Sequence, residues 1–201
     1  MKIIVAVAPV GPAEIGSRVD NPLTPEEIAE QVISCALAGA SMVHLHVRDE
    51  RGEPTADLTP FGRTLSLIRG ECDIIIQGST GGVSTLSLEE RCVALGDPRV
   101  EVASLNMGSV NFDDGVYVNT LPDIRYWAGR MREEGVRPEL EIFEGGMIHN
   151  VALLGEEGVL TPPFSYGLAL GFRGALPATP QALTFLSGLL PAGAGWGIVH
   201  H

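Results

Sequence analysis

The stretch Met42-Val-His-Leu-His-Val-Arg-Asp49 decides how this chain folds. Val43, Leu45 and Val47 alternate with His44, His46 and Arg48, the period-2 pattern of a β-strand. Side chains at i and i+2 leave a strand on the same face, about 6.5–7 Å apart. The aliphatic face suits packing on helices, so the polar face looks inward. That parity favours a barrel with a site inside it. His44 and His46 can converge on one metal ion; the alternative is a hydrogen-bonded histidine pair filling a barrel layer. Zinc in a catalytic site wants three protein ligands and an open position. Two histidines with one carboxylate suit non-haem iron as well.

Outward from this strand, short β-branched runs alternate with helical segments. Strands are predicted at Ile3–Ala8, Met42–Arg48, Ile74–Gly78, Val102–Met107, Glu139–Phe143, Tyr166–Gly171 and Gly195–Val199. Thr24-Pro25-Glu26-Glu27 combines an N-cap, a proline at N1 and a capping-box glutamate. Thr59-Pro60 and Thr179-Pro180 repeat the device, Ser87 with Glu90 gives another box, and Gly39 and Gly135 stand where helices should stop. Strand–helix alternation without a composition break means βα units on a parallel sheet, so residues 1–201 read as a single domain. A doubly wound sheet is possible, but inward-polar parity recurs on later strands. Ser104 and Asn106 lie opposite Ala103, Leu105 and Met107; Glu139 and Glu141 lie opposite Leu140 and Ile142. The expectation is a (β/α)8 TIM barrel. Seven strands are in view, so the eighth βα unit is missing and the chain reads as a C-terminally incomplete version of a longer protein.

Composition narrows the function. With 13 basic and 25 acidic residues the formal charge is −12, and no Lys/Arg run appears, which argues against nucleic acid and anionic membranes as partners. The three cysteines, Cys35, Cys72 and Cys92, lack metal-type spacing and read as buried thiols of a reducing cytoplasm. No apolar run reaches membrane-spanning length.

Further groups carry chemistry. Two inward carboxylates are costly unless paired, cation-bound or handling protons. Glu139 suits an ion pair with an arginine such as Arg48, while Glu141, nearer the C-terminal rim, suits acid–base work. Gly78-Ser-Thr-Gly-Gly82 follows strand 3, where backbone N–H groups and hydroxyls could cradle a carboxylate or phosphate; a plain glycine-rich turn is the alternative. Glu14 sits in the loop after strand 1, at the same rim. His149, Tyr126 and Trp127 read as helix surface or packing residues.

Taken together these segments resemble the β-keto acid cleavage enzyme family, typified by 3-keto-5-aminohexanoate cleavage enzyme. The likeness rests on Asn21-Pro-Leu-Thr-Pro-Glu-Glu-Ile28, Ala38–Asp49 with its His-Leu-His-Val-Arg-Asp core, Gly78–Gly82, Ala103-Ser-Leu-Asn-Met-Gly108 and Pro138-Glu-Leu-Glu-Ile-Phe143. It continues through Pro162-Pro-Phe164 and Leu190–Trp196, and so spans the chain. The resemblance implies a zinc-dependent barrel enzyme of the cytoplasm, a homo-oligomer (a tetramer by family likeness). Such enzymes condense a β-keto acid with acetyl-CoA, giving acetoacetate and a new acyl-CoA. By position, His44 and His46 would be zinc ligands. Ser79 and Gly82 would hold the substrate carboxylate, and Ser104 and Asn106 would line the pocket. Glu141 would exchange protons with the substrate or orient it, and Glu14 would contact its variable end. The family's third zinc ligand, a glutamate on strand 8, has no counterpart here, and Glu144 replaces the more usual Asp after the Phe. Two other readings compete: a metal-dependent hydrolase on the same barrel, and a non-catalytic metal- or metabolite-binding relative.

Overall fold

The computed structural model describes residues 3–11, 21–49, 51–81 and 85–200. Its parallel strands alternate with helices, an α/β architecture. The chain divides into two compact units, Met1–Ser79 with Leu86–Ala103 and Thr80–Thr85 with Ser104–His201.

In the first unit, β1 (Ala6–Val7) pairs in parallel with β2 (Met42–Leu45), and β2 pairs in parallel with β3 (Ile75–Ser79). The order β1-β2-β3 continues to β4 (Val102–Asn106), whose first two residues belong to this unit. Strand β1 is shorter than the sequence predicts. Its partner begins at Met42, so Ile3 and Ile4 find no ladder and stay 74% and 64% exposed. Helix α1 (Pro25–Leu37) opens with the predicted capping box, Thr24 and Glu27 each bonding the other's backbone N–H. It ends before Gly39, at φ 111°. Helix α2 (Leu58–Glu71) is capped two residues before the predicted Thr59 cap, because the Asp57 carboxylate accepts from the Thr59 N–H and caps it instead. Ala29 and Val32 of α1 and Phe61, Leu65 and Ile68 of α2 are buried, as are Val43, Leu45 and Ile76 of the strands. Fully burying each such aliphatic side chain is worth about 1.5–3 kcal/mol. The Ser87–Glu90 box forms too, but it opens a 3-10 helix, Glu90–Gly96.

In the second unit the order runs from the rest of β4 to β7 (Arg137–Ile142), β8 (Ser165–Leu170) and β9 (Gly195–His200). The β7–β8 and β8–β9 pairs are parallel. Helices α3 (Leu121–Glu134), α4 (Gly145–Glu156) and α5 (Pro180–Leu189) complete it. Thr120 and Thr179 cap α3 and α5, and Gly135 closes α3 in the left-handed region at φ 73°. Trp127 of α3 is fully buried and His149 of α4 is exposed, as their sequence context suggests. A short antiparallel hairpin, β5 (Val110–Phe112) and β6 (Gly115–Tyr117), was not expected. Asp113-Asp114-Gly115 is its turn signal, with Asp113 at φ 51°. All three cysteines are free thiols, but only Cys92 is buried; Cys35 within α1 and Cys72 at the C-cap of α2 are half-buried.

Candidate functional site

In the first unit, β2 delivers His44 to one face while Val43 and Leu45 go into the core at 0% and 2% exposure. The strand ladder ends at Leu45, so His46 and Arg48 follow on its extension, where Arg48 bridges Pro54. The two imidazoles meet edge to face, with centroids 4.9 Å apart and planes at 77°. Their Nε2 atoms lie 3.2 Å apart. Two nitrogens on one tetrahedral zinc, at bond lengths of about 2.0–2.1 Å, stand about 3.3 Å apart. The donors therefore fit a shared metal ion.

Strand register explains the orientation of His44. It sits opposite Gln77 in the β2–β3 ladder, and its Nδ1 lies 2.9 Å from Gln77 Oε1. A carboxamide oxygen only accepts, so Nδ1 carries the proton and Nε2 keeps its lone pair. Gln77 is buried, so the contact is held out of water. Burial first, then the charges of His44 and Arg48, hold His46 well below the ordinary histidine range. Its neutral form is the one that binds metal. Among the described residues no cluster of three His, Cys, Asp or Glu side chains suited to a metal occurs.

Arg48 gives Nη1–H to the Gly52 carbonyl at 2.5 Å, and its buried Nε has no partner among the described residues. With His46 it lines a cleft whose apolar wall includes Leu23, Ile28, Leu45 and Phe61. Asp49 orders the following turn, accepting from the backbone N–H groups of Arg51 and Glu53. Those bonds, that of Glu53 foremost, hold its carboxyl below the usual range. Ser79 ends β3 with its side chain buried. Gly78 before it cannot gain a side chain without pressing on Ala94 and Val100, at 3.1 and 3.2 Å. Glu14 and Gly82 lie outside the described residues.

In the second unit, β4 holds Ser104 and Asn106 on one face, both 2% exposed. The Thr80 hydroxyl donates to the Ser104 carbonyl at 2.6 Å. Asn106 Oδ1 accepts from the Gly108 N–H at 3.3 Å, while its buried Nδ2 has no partner among the described residues. A buried amide donor left open costs about 1–3 kcal/mol and is ready for an acceptor oxygen of a ligand. On β7, Glu139 and Glu141 share a face opposite Leu140 and Ile142, both fully buried. Glu141 is half-buried by exposed area, yet protein atoms crowd its carboxyl. That desolvation, with the charge of Glu139, pushes it up to about 8. At neutral pH it holds a proton it can give away.

The structure thus brings together the predicted histidine pair in one unit, and the Ser104–Asn106 and glutamate pairs in the other. Sequence reading missed Gln77. The signal was present: Gln77 and Ser79 have the inward parity noticed on β4 and β7, but not weighed on β3.

The family model for beta-keto acid cleavage enzyme matches residues 2–200. A 3-keto-5-aminohexanoate cleavage enzyme of Fusobacterium nucleatum is 36% identical over 202 residues, covering 98% of this chain and 72% of that protein. A 3,5-dioxohexanoate:acetyl-CoA acetone transferase of Paraburkholderia graminis is 32% identical over 211 residues, covering 92% of this chain and 68% of the relative. Among solved structures, the complex of ObcA with oxaloacetate superposes with a TM-score of 0.65 at 25% identity. It covers 75% of this chain, which spans 37% of ObcA's length. The strand–helix architecture with its polar strand ends defines an α/β enzyme scaffold. The chain belongs to the β-keto acid cleavage enzyme family. No helix among the described residues is long and apolar enough to cross a membrane.

Proposed function

We propose that this chain condenses a β-keto acid with acetyl-CoA, giving acetoacetate and a new acyl-CoA. We propose further that the fold is of the (β/α)8 TIM-barrel type and that the chain acts as a cytoplasmic homo-oligomer. The observation that carries the reading is the pair of Nε2 atoms 3.2 Å apart, with His44 oriented by Gln77. His44 and His46 would hold Zn2+, which when bound polarises the keto acid as a Lewis acid.

The chain's own residues supply the rest. Ser79 and Gly82 bind the substrate carboxylate, and Ser104 lines the pocket. Asn106 offers its Nδ2–H, without a partner among the described residues, to a substrate oxygen. Glu141, protonated at neutral pH, donates to the oxygen or carbon that gains charge as the carbon–carbon bond forms or breaks, then takes the proton back. Glu14 contacts the variable end of the keto acid. Arg48, buried beside His46, disfavours a second positive charge and so keeps that imidazole neutral.

Metal analysis and turnover on one preparation test the reading. Stoichiometric zinc and loss of keto acid only when acetyl-CoA is present are expected. His46→Ala should lose metal and activity together, by more than about 100-fold, beyond the range for outer-sphere partners, while keeping its circular dichroism spectrum. Full zinc occupancy in that variant would overturn the ligand assignment. Consumption of keto acid without acetyl-CoA would instead favour hydrolysis.

A further inference from the structure

We infer that Tyr117 is a positioning residue: it holds the Thr80-Gly81 turn in the shape that receives the substrate carboxylate. The inference rests on the carboxylate role proposed for the loop beginning at Ser79. A Cβ built on Gly81 would stand 1.5 Å from the Tyr117 hydroxyl oxygen and 2.7 Å from its ring carbon Cζ. The hydroxyl thus occupies the place where any other residue would put its side chain.

Tyr117 cannot swing aside cheaply. It is 6% exposed and stands edge-on to two rings, Phe112 at 6.2 Å and 81°, and Phe143 at 6.5 Å and 87°. Edge-to-face ring pairs of this kind stabilise the arrangement beyond the area they bury. Phe143 follows Glu141 by two residues, so one ring cluster braces both the turn and the end of the acid-bearing strand. From the other side the Thr80 hydroxyl pins the turn to the Ser104 carbonyl at 2.6 Å. A turn anchored twice before the ligand arrives spends less ordering entropy on binding. The role also accounts for glycine at position 81, where the constraint is a neighbouring hydroxyl rather than a special φ.

Titration calorimetry with acetoacetate and with methyl acetoacetate, which lacks the charge, tests this on the full chain. The unsubstituted protein should bind the acid at least about tenfold more tightly than the ester, the factor one charged hydrogen bond supplies. Tyr117→Phe should weaken acetoacetate by about tenfold, leave the ester within about twofold and keep the melting temperature close to the parent's. An unchanged acid-to-ester ratio in Tyr117→Phe overturns the positioning role. Gly81→Ala should cost about tenfold in acid affinity beside Tyr117 and less than about threefold beside Tyr117→Leu, where the methyl has room. Equal costs in both backgrounds overturn it as well. Ser79→Ala separates the two readings. If it abolishes the acid preference while Tyr117→Phe keeps it, the carboxylate loop stands and the positioning role falls. If the unsubstituted protein shows no acid preference, both fall.

Discussion

At the end of β2 and along β7 the chain uses one device twice, and the outcomes differ. Each place sets two like ionisable groups at i and i+2 on one strand face, His44 with His46 and Glu139 with Glu141. In each, burial is the largest influence and the like neighbour the next. Both influences favour the uncharged form. For His46 the uncharged form has lost a proton and exposes a lone pair; for Glu141 it has kept one and offers a donor. A single physical cause therefore leaves a neutral imidazole in one unit and a protonated carboxyl in the other, the forms that the proposed metal-binding and proton-donating roles require. The supports differ as well. Gln77 fixes the ring of His44 through a side-chain hydrogen bond, whereas Glu141's strand is held by its ladder with β8 and by the packing of Leu140 and Ile142.

The contrast breaks first at the acid. Glu141→Gln keeps the shape and a hydrogen-bond donor but removes the transferable proton. If the carboxyl handles protons, kcat should fall by about 10²–10⁴, with the metal content unchanged. Zinc loss in step with activity would mean the two pairs are not separable in role. The imidazole pair breaks more gently through its support. Gln77→Leu leaves a buried Nδ1–H without an acceptor, and zinc affinity should drop by about 10–100-fold. Gln77→Glu restores an acceptor and should recover most of it in a competition assay with a chromogenic chelator. Equal affinity in all three proteins would remove Gln77 from the metal's outer sphere.

Much of this was legible because alternation is a local property. Val43-His44-Leu45-His46 shows its two faces in four letters, and Ser104–Asn106 and Glu139–Glu141 do the same. Capping is equally local, which is why Thr24 and Thr179 stand where helices begin. The α2 start slipped because Asp57 and Thr59 both offer a capping oxygen, and only the entering backbone chooses between them. Gln77 and Tyr117 were harder for a different reason. Gln77 matters through its register with His44, 33 residues away, and Tyr117 through its approach to Gly81. Neither partner is visible from its own neighbourhood. The hairpin was missed because three-residue strands barely differ from loop in a window dominated by Asn, Asp and Gly.

The smallest effect is the subtlest test of the comparison, since it reads the glutamate pair through stability. Below about 4.5 the Glu141 carboxyl is protonated in the folded and unfolded chain alike, and its burial adds no pH dependence. Between there and about 8 the unfolded chain releases the proton while the folded chain retains it, so stability falls as pH rises. Above about 8 the folded carboxyl ionises too and the penalty is complete. Glu141→Gln carries no such proton, so its melting temperature should decline less across this window. Each kcal/mol moves melting by about 2–4 °C in a chain of this size. The two curves, matched at pH 5, should therefore separate by at least about 2 °C at pH 8, the variant melting higher. Parallel curves would show that solvent reaches the carboxyl freely, and the likeness between the buried acid and the buried imidazole would end there.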